Sequence, residues 1–164
     1  MRHRLVIGCA IAGVAAAVVA GLLVSHSRGS GTGPKGDPAA FAAQIVALVV
    51  ADDYATAWDS LNRAHQQVAP RSEYVACERQ SPLNARLASS RVVRVVDRSV
   101  RIPGTTGKVP VKAVTLRLRI VSRASGRSET FRHTFTVVGD GTQWTWILTP
   151  KRYALYRDDA CATT

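Results

Sequence analysis

Apolar and polar side chains alternate with a period of two along residues 128–149. The sequence Gly-Asp-Gly at 139–141 interrupts this alternation near its middle. Strict alternation broken by a Gly/Asp cluster is typical of an antiparallel β-hairpin with one buried face. We therefore predict a hairpin whose buried face carries Phe131, Phe135, Val137, Trp144, Trp146 and Leu148.

Two further strands are predicted upstream of this hairpin. Residues 91–102 form the first, and the adjacent valine pairs at 92–93 and 95–96 break its alternation, which indicates a β-bulge. Residues 111–122 form the second, and its apolar face carries Val114, Leu116, Leu118 and Ile120. Because successive strands are joined by short turns, we expect a four-stranded antiparallel meander.

Helical spacing of apolar residues predicts three helices before the strands and a short one after them, at 38–51, 54–62, 71–79 and 151–157. Asp37 followed by Pro38 is a typical helix start, with an N-cap and a proline at the first helical position. The apolar face of the first helix is predicted to carry Phe41, Ile45, Leu48 and Val49. Helices gathered on one face of an antiparallel sheet define the α+β class.

The first 37 residues differ in composition from this predicted domain. Residues 5–24 are apolar and uncharged, and 20 such residues in a helix rise about 30 Å, enough to cross the hydrocarbon core of a membrane. We predict a single-pass signal-anchor with the N-terminus inside: a cytoplasmic tail at 1–4, a transmembrane helix at 5–24, a Gly/Ser-rich linker at 25–37 and an extracytoplasmic domain at 38–164. The alternative is secretion after cleavage of the same segment as a signal peptide.

Small residues recur at every fourth position of the apolar segment, at Cys9, Gly13, Ala17 and Gly21. Such a stripe lets two transmembrane helices approach closely, so a homodimer is one interpretation. The other interpretation is a chance pattern in a segment rich in Ala and Gly.

The chain is strongly basic, with 22 Lys plus Arg against 11 Asp plus Glu. Between residues 91 and 132, eleven basic residues face only two carboxylates, Asp97 and Glu129. Strand alternation places Arg117, Arg119 and Arg132 together on the sheet face opposite the core. This face is either a solvated surface that reflects an arginine-rich composition or a docking surface for anionic headgroups or an anionic envelope polymer. Nucleic acid is not expected, because no aromatic residues interleave with these arginines to stack on bases.

Cys77 and Cys161 are the only cysteines outside the apolar N-terminal segment. An even pair in an exported domain predicts a disulfide. The alternative is two unpaired thiols.

The helical pair in PAAFAAQIVALVVADDYATAWDSL, the segment PRSEYVACER and the ending WTWILTPKRYALYRDDAC resemble the nuclear transport factor 2-like (cystatin-like) superfamily. The resemblance covers residues 37–161. It implies helices wrapped by a curved sheet into a cone, with a binding cavity inside the cone. It also implies, through similar membrane-anchored bacterial domains, a scaffold role in an envelope protein complex.

His133 lies between Phe131 and Phe135 on the face predicted to be buried. It is either a hydrogen-bonding group of an interior pocket or a partly buried histidine that bonds to a neighbouring strand. The residues predicted around such a pocket are His133, Phe131, Phe135, Trp144, Trp146 and Tyr54.

The sequence favours a non-catalytic binding or scaffold domain that acts through protein partners or an anionic envelope surface. No catalytic motif of the superfamily can be matched residue by residue, and neither a cofactor nor a metal site is predicted, because the four histidines lie in different elements. The alternative is a small-ligand-binding protein, or an isomerase- or dehydratase-like enzyme, that uses the interior around His133.

Overall fold

The computed structural model describes residues 34–163. The predicted cytoplasmic tail, the predicted transmembrane segment at 5–24 and most of the predicted linker lie outside these residues. Within the described part, no helix has the length and apolar character needed to cross a membrane.

The described chain is an α+β domain, as predicted. Four helices come first: α1 Pro38–Val50, α2 Tyr54–Asp59, α3 Arg63–Val68 and α4 Arg71–Gln80. Four strands follow: β1 Ala85–Val100, β2 Val109–Ser122, β3 Ser128–Asp140 and β4 Gln143–Trp146. Helix α5, Pro150–Arg157, and a 3-10 turn, Ala160–Thr163, end the described chain. The strands form one antiparallel sheet in the order β1-β2-β3-β4, so the predicted four-stranded meander is confirmed.

Helix α1 begins as predicted but turns a different face toward the core. The Asp37 side chain accepts a hydrogen bond from the Ala39 N–H at 3.0 Å, and Pro38 occupies the first turn. The buried residues of the helix are Ala39, Ala42, Ile45, Val46 and Val50. The prediction that Phe41, Leu48 and Val49 line the buried face is therefore wrong in part, because these three are only partly buried. The face that meets the core thus combines two small residues, Ala39 and Ala42, with the branched residues of the second half of the helix.

The predicted helix at 54–62 ends earlier, at Asp59, and a tertiary contact at residues 60–62 separates it from the next helix, α3. The Trp146 N–H donates to the Ser60 carbonyl at 3.1 Å, and the Asn62 N–H donates to the Trp146 carbonyl at 2.8 Å. These bonds to β4 satisfy backbone groups that a continuous helix would have used. The Asn62 side chain then caps α3, which the sequence analysis missed, by accepting from the Ala64 N–H at 3.2 Å.

The sheet has one face packed under helices and one face turned outward. We call the first the covered face; it carries Val114, Leu116 and Leu118 of β2 and Val137 of β3, all at most 4% exposed. The predicted β-bulge is confirmed by a register shift of β1 against β2 between Val92 and Arg94. At one end the outward face is closed by a second small cluster of Ile102, Val111 and Val138.

The β3–β4 hairpin turns later than predicted. Asp140 pairs with Gln143, so the turn is Gly141-Thr142 rather than 139–141, and Gly141 has the positive φ of +59° that this tight turn needs. Beyond the turn, Thr145 is buried although the alternation predicted a polar, outward position. Its hydroxyl donates to the Val138 carbonyl at 3.3 Å and accepts from the Asn62 amide at the same distance.

Residues 34–36, at the end of the predicted linker, pack on this hairpin. The Lys35 N–H donates to the Thr142 carbonyl at 2.8 Å, and the indole N–H of Trp144 donates to the Gly36 carbonyl at 3.0 Å. A Cβ at Gly139 would lie 2.5 Å from the ring of Pro34, so this contact requires glycine. The chain therefore enters the described domain at the hairpin turn.

Cys77 of α4 and Cys161 of the 3-10 turn lie at disulfide distance, as predicted. Their Cα atoms are 5.5 Å apart and 84 residues separate them in sequence. The bond joins the last turn of the chain to the helices over the covered face.

Candidate functional site

The outward face of the sheet collects arginines from three strands. Strand alternation and the observed register place on this side the side chains of Arg86, Arg91, Arg94, Arg98, Arg117, Arg119 and Arg132. We call this surface the arginine face. All seven residues are exposed. The predicted positions of Arg117, Arg119 and Arg132 agree with this geometry.

Three of these arginines stand directly opposite one another. Arg91 pairs with Arg117 across β1 and β2, and Arg117 pairs with Arg132 across β2 and β3. Neighbouring strands lie about 4.8 Å apart, so the three side chains leave the sheet as one row. Like charges in directly opposite positions destabilise a sheet. The row thus has an electrostatic cost that an anion on this face would offset.

No carboxylate shares the face over β1 85–98, β2 111–121 and β3 128–138. The register places Asp97 beside Lys112 on the opposite side, where the two side chains form an ion pair, and Glu129 lies on that opposite side against Ile120. Within the described residues, none of the seven arginines forms an ion pair. The arginine face can therefore bind phosphate or carboxylate groups without first breaking an internal salt bridge.

The arginines of β1 were not predicted to belong to this set. Two register shifts, at Leu87/Ser89 and Val92/Arg94, change the phase of β1 twice. Counting by twos from Arg91 would put Arg94 on the wrong side, whereas the bulge returns both residues to the same side. The adjacent valines at 92–93 were the available signal for the second shift; the pair at 95–96 is in regular register, and no valine pair marks the first shift.

A cavity of about 490 Å³ lies at the other edge of the sheet. Strand β4 pairs only with Val137–Asp140, so no strand of the described chain covers the edge of β3 before Thr136. Helices α4 and α5 approach this opening instead. The cavity lining includes His133, Phe135, Trp146, Leu148, Glu78 and Arg152.

The structure brings together three of the six residues predicted around a pocket. His133, Phe135 and Trp146 line the cavity. Phe131 packs instead against the main hydrophobic core, which lies between the helices and the covered face. Trp144 donates a hydrogen bond to the Gly36 carbonyl beside the hairpin turn. Tyr54 is buried, and its hydroxyl donates to Asp52 at 2.8 Å. Burial and this hydrogen bond raise the pKa of Tyr54 to about 12, so it stays protonated.

Two charged groups of the cavity, Glu78 and Arg152, are paired with each other. Glu78 forms an ion pair with Arg152 and accepts a hydrogen bond from the Tyr156 hydroxyl at 2.7 Å. Burial lowers the pKa of His133, whose ring meets that of Phe135 edge-on at 4.6 Å between centroids. A neutral imidazole beside a compensated ion pair suits a small, largely apolar ligand that offers one hydrogen-bonding group.

His65 is a buried polar residue that the sequence analysis did not single out. Its side chain is fully buried on α3, and Nδ1 accepts a hydrogen bond from the Leu148 N–H at 3.0 Å. The proton of the neutral ring is therefore on Nε2, which makes no hydrogen bond of normal geometry within the described chain. Burial lowers the pKa of His65 to about 4, and the backbone of Pro103 acts in the opposite direction. This residue joins α3 to the segment after β4, so we assign it a structural role.

In the described part of the chain, no three His, Cys, Asp or Glu side chains lie together in a way that could hold a metal ion. No known family model matches this chain, and no curated protein or solved structure matches it significantly. The likeness to the nuclear transport factor 2-like superfamily therefore stays a prediction.

Proposed function

We propose that this chain is a non-catalytic binding module whose arginine face docks on anionic lipid headgroups. The observation that carries the proposal is the row Arg91, Arg117 and Arg132, exposed and free of ion pairs within the described residues. Guanidinium groups are permanently charged and match phosphate oxygens in a bidentate geometry. The row therefore fits a plane of phosphates better than a single buried anion.

The predicted anchor makes lipid the nearest anionic surface. Residues 25–33 would join the predicted transmembrane segment to Pro34, and nine extended residues reach about 30 Å. Along β3, Gly139 and Arg132 are seven residue steps apart, or about 24 Å. A tether entering at the hairpin is thus long enough to let the arginine face lie on the membrane that holds it.

Electrostatic docking of this kind has a predictable strength. Each arginine near an anionic surface contributes about 1 kcal/mol, and the attraction falls off within a Debye length. Several such contacts hold a tethered domain without any apolar insertion. We therefore expect binding that depends on lipid charge and weakens with salt.

The test uses the fragment 31–164, which corresponds to a compact unit of its own, so that the anchor does not contribute to sedimentation. The fragment is mixed with vesicles containing phosphatidylglycerol and with vesicles of phosphatidylcholine alone. Changing Arg117, Arg119 and Arg132 to Ser should lower partitioning onto the anionic vesicles about a hundredfold, from about 1 kcal/mol for each residue. The matched control changes Arg63, Arg71 and Arg79 to Ser, which removes the same charge from exposed helix positions.

Equal loss of binding in the two triple variants would show that vesicle binding depends on net charge alone. It would contradict docking through the arginine face. Equal sedimentation with both vesicle types would remove the proposal. Binding to a soluble anionic wall polymer but not to anionic vesicles would move the function from lipid to polymer.

The cavity supports a second candidate, a small-ligand-binding protein. The cavity has a volume of about 490 Å³, and the neutral His133 lies next to its apolar walls. These properties suit a neutral apolar compound. The fluorescent probe N-phenyl-1-naphthylamine should brighten on binding, and His133→Trp should abolish the signal by filling the space. No change in fluorescence with the parent fragment would exclude this candidate for ligands of that size.

A further inference from the structure

Strand β1 forms an edge of the sheet that no other described strand covers. It runs over 16 residues and contains no proline, and its only strand partner is β2. Every second residue of such a strand turns its N–H and C=O groups outward, ready to pair with another chain. Native proteins usually protect an edge of this kind with short strands, proline, bulges or charges. Strand β1 carries two bulges and several arginines, but it is long and has no proline, so its edge stays open to a strand of complementary charge.

Both faces of β1 are also uncovered along its middle. Residues 88–95 are all exposed, so the helices leave the side chains in the middle of β1 uncovered, although α1 contacts the strand elsewhere. On the covered-face side the register places Val92 and Val95, which are 43% and 41% exposed, and the bulged Val93 is 46% exposed. These valines are three of the four large hydrophobic residues that the described chain leaves exposed.

The other side of the same strand is cationic. Arg91, Arg94 and Arg98 belong to the arginine face, while the one carboxylate of β1, Asp97, lies on the valine side and pairs with Lys112. A second copy of this chain paired through β1 would place arginines against arginines, and like charges across a strand pair are destabilising. A strand that carries carboxylates on this side would complement them.

We propose that the outer edge of β1 binds an extended segment of a partner protein that alternates aliphatic and acidic residues. The segment adds a fifth strand to the sheet through main-chain hydrogen bonds. Its aliphatic side chains pack on Val92 and Val95, and its carboxylates meet Arg91, Arg94 and Arg98. The inference goes beyond lipid docking, because it uses the backbone edge and the valine side, neither of which a lipid headgroup reads.

The test uses the full chain in a neutral detergent and a fluorescein-labelled peptide of ten residues that alternates Val and Glu. Fluorescence anisotropy gives the affinity, and hydrogen exchange followed by mass spectrometry reports the amides of residues 88–99. We expect saturable binding together with slower exchange in β1. In two further versions of the peptide, every second backbone nitrogen is methylated. One version blocks the N–H groups on one edge of the peptide strand, and the other blocks those on the opposite edge. Because only one edge of the peptide pairs with β1, we expect one of the two versions to lose binding.

The variant Val92→Thr/Val95→Thr keeps β-branched residues but removes apolar contact, so it should weaken peptide binding about tenfold. The control Leu83→Thr changes the fourth exposed hydrophobic residue, which is 51% exposed and lies before β1, and should leave binding unchanged. Peptide affinities are compared only between variants that have the same thermal stability. Vesicle binding is measured separately, and the double variant should retain it, since Val92 and Val95 do not belong to the arginine face.

Equal affinity for decaglutamate and for the alternating peptide would overturn the proposal, because charge alone would then explain binding. Equal binding of both methylated peptides would also overturn it, because no strand would have been added. Slow exchange of residues 88–99 without peptide, together with a dimer in sedimentation analysis, would assign the edge to a second copy instead.

Discussion

The covered face and the arginine face of the sheet are made by adjacent residues of the same strands. Leu116 is fully buried under the helices, while Arg117, the next residue of β2, is exposed on the other side. Leu116 pairs across the sheet with His133, and Arg117 pairs with two other arginines. One face thus gathers groups that attract each other in the folded chain, and the other gathers groups that repel.

Because of this difference, substitutions at neighbouring residues of one strand should affect either stability or binding, but not both. Apolar burial on the covered face is a main source of folding free energy. The arginine face adds little to that free energy, and its repulsion is relieved only by an external anion. Changes on the covered face should therefore lower stability, whereas changes on the arginine face should lower binding and leave stability equal or higher.

The disulfide should have the largest effect, and only on the covered side. Closing a loop with a sequence separation of 84 residues stabilises the fold by about 4.5 kcal/mol on the chain-entropy model. The variant Cys77→Ala/Cys161→Ser should lose about that much free energy of unfolding in urea denaturation. The parent protein in reductant should behave like the variant, while the variant should not respond to reductant. If lipid docking fell in the variant while it was still folded, the two faces would not be independent.

Leu116→Ala should have the next largest effect. Leu116 is fully buried in the main core, and truncation of such a residue costs about 3 to 4 kcal/mol through lost contact and the remaining cavity. Urea denaturation measures the loss, and vesicle binding at low temperature should stay unchanged. A loss below about 1 kcal/mol would mean that the helices do not pack on this part of the sheet.

The two faces should also differ in their response to acid. His65 has a pKa near 4 when folded and near 6.5 when unfolded, so the unfolded chain binds the proton more readily. Stability from the neutral ring is complete above pH 6.5 and declines as the pH falls toward 4, by about 3 kcal/mol in total. Lipid docking should persist over the same range, because arginines stay charged.

The control for this pH effect is His65→Asn, whose side-chain oxygen can still accept from the Leu148 N–H. This variant should be less stable at pH 7 but should depend less on pH between 6.5 and 4.5. Burial lowers the pKa of His133 in the same direction, so part of the slope should remain. An unchanged slope in the variant would show that His65 is not the group that takes up the proton.

Regular patterns were sufficient to predict the order of the four strands and the starts of α1, α2 and α4, but not α3 or the start of β1. The β2 alternation placed Val114, Leu116 and Leu118 on the covered face, and Asp37-Pro38 marked the start of α1. These features depend on local sequence, because side-chain direction in a strand and capping at a helix end are set within a few residues. The cysteine pair was equally readable, since no other partner for either residue exists outside the apolar N-terminal segment.

The features that were missed depend on contacts between distant parts of the chain. The bonds of Ser60 and Asn62 to Trp146 end α2 three residues before the predicted end, and they precede α3, which the local pattern did not predict. Thr145 is buried opposite Val138 and accepts a hydrogen bond from Asn62, 83 residues away. The arginines of β1 share the arginine face because of two bulges, of which the local sequence indicated only the one at 92–94. Half of the predicted pocket residues lie elsewhere: Phe131 packs on the main core, Trp144 bonds to Gly36 and Tyr54 bonds to Asp52.

The smallest predicted effect tests the comparison most directly, because its sign is opposite to that of the others. Arg117→Thr removes the central charge of the row and installs a residue that favours strands. We expect a gain of about 0.5 kcal/mol in the free energy of unfolding at low ionic strength, and a smaller gain in high salt, where the repulsion is screened. Arg86→Thr is the matched control, because Arg86 pairs with Val121 rather than with another arginine, and its change in the free energy of unfolding should be close to zero.

A loss of stability in Arg117→Thr at every salt concentration would show that the aliphatic stem of Arg117 contributes more by packing than its charge costs. The arginine face would then belong to the folding free energy, and the separation between the two faces would fail.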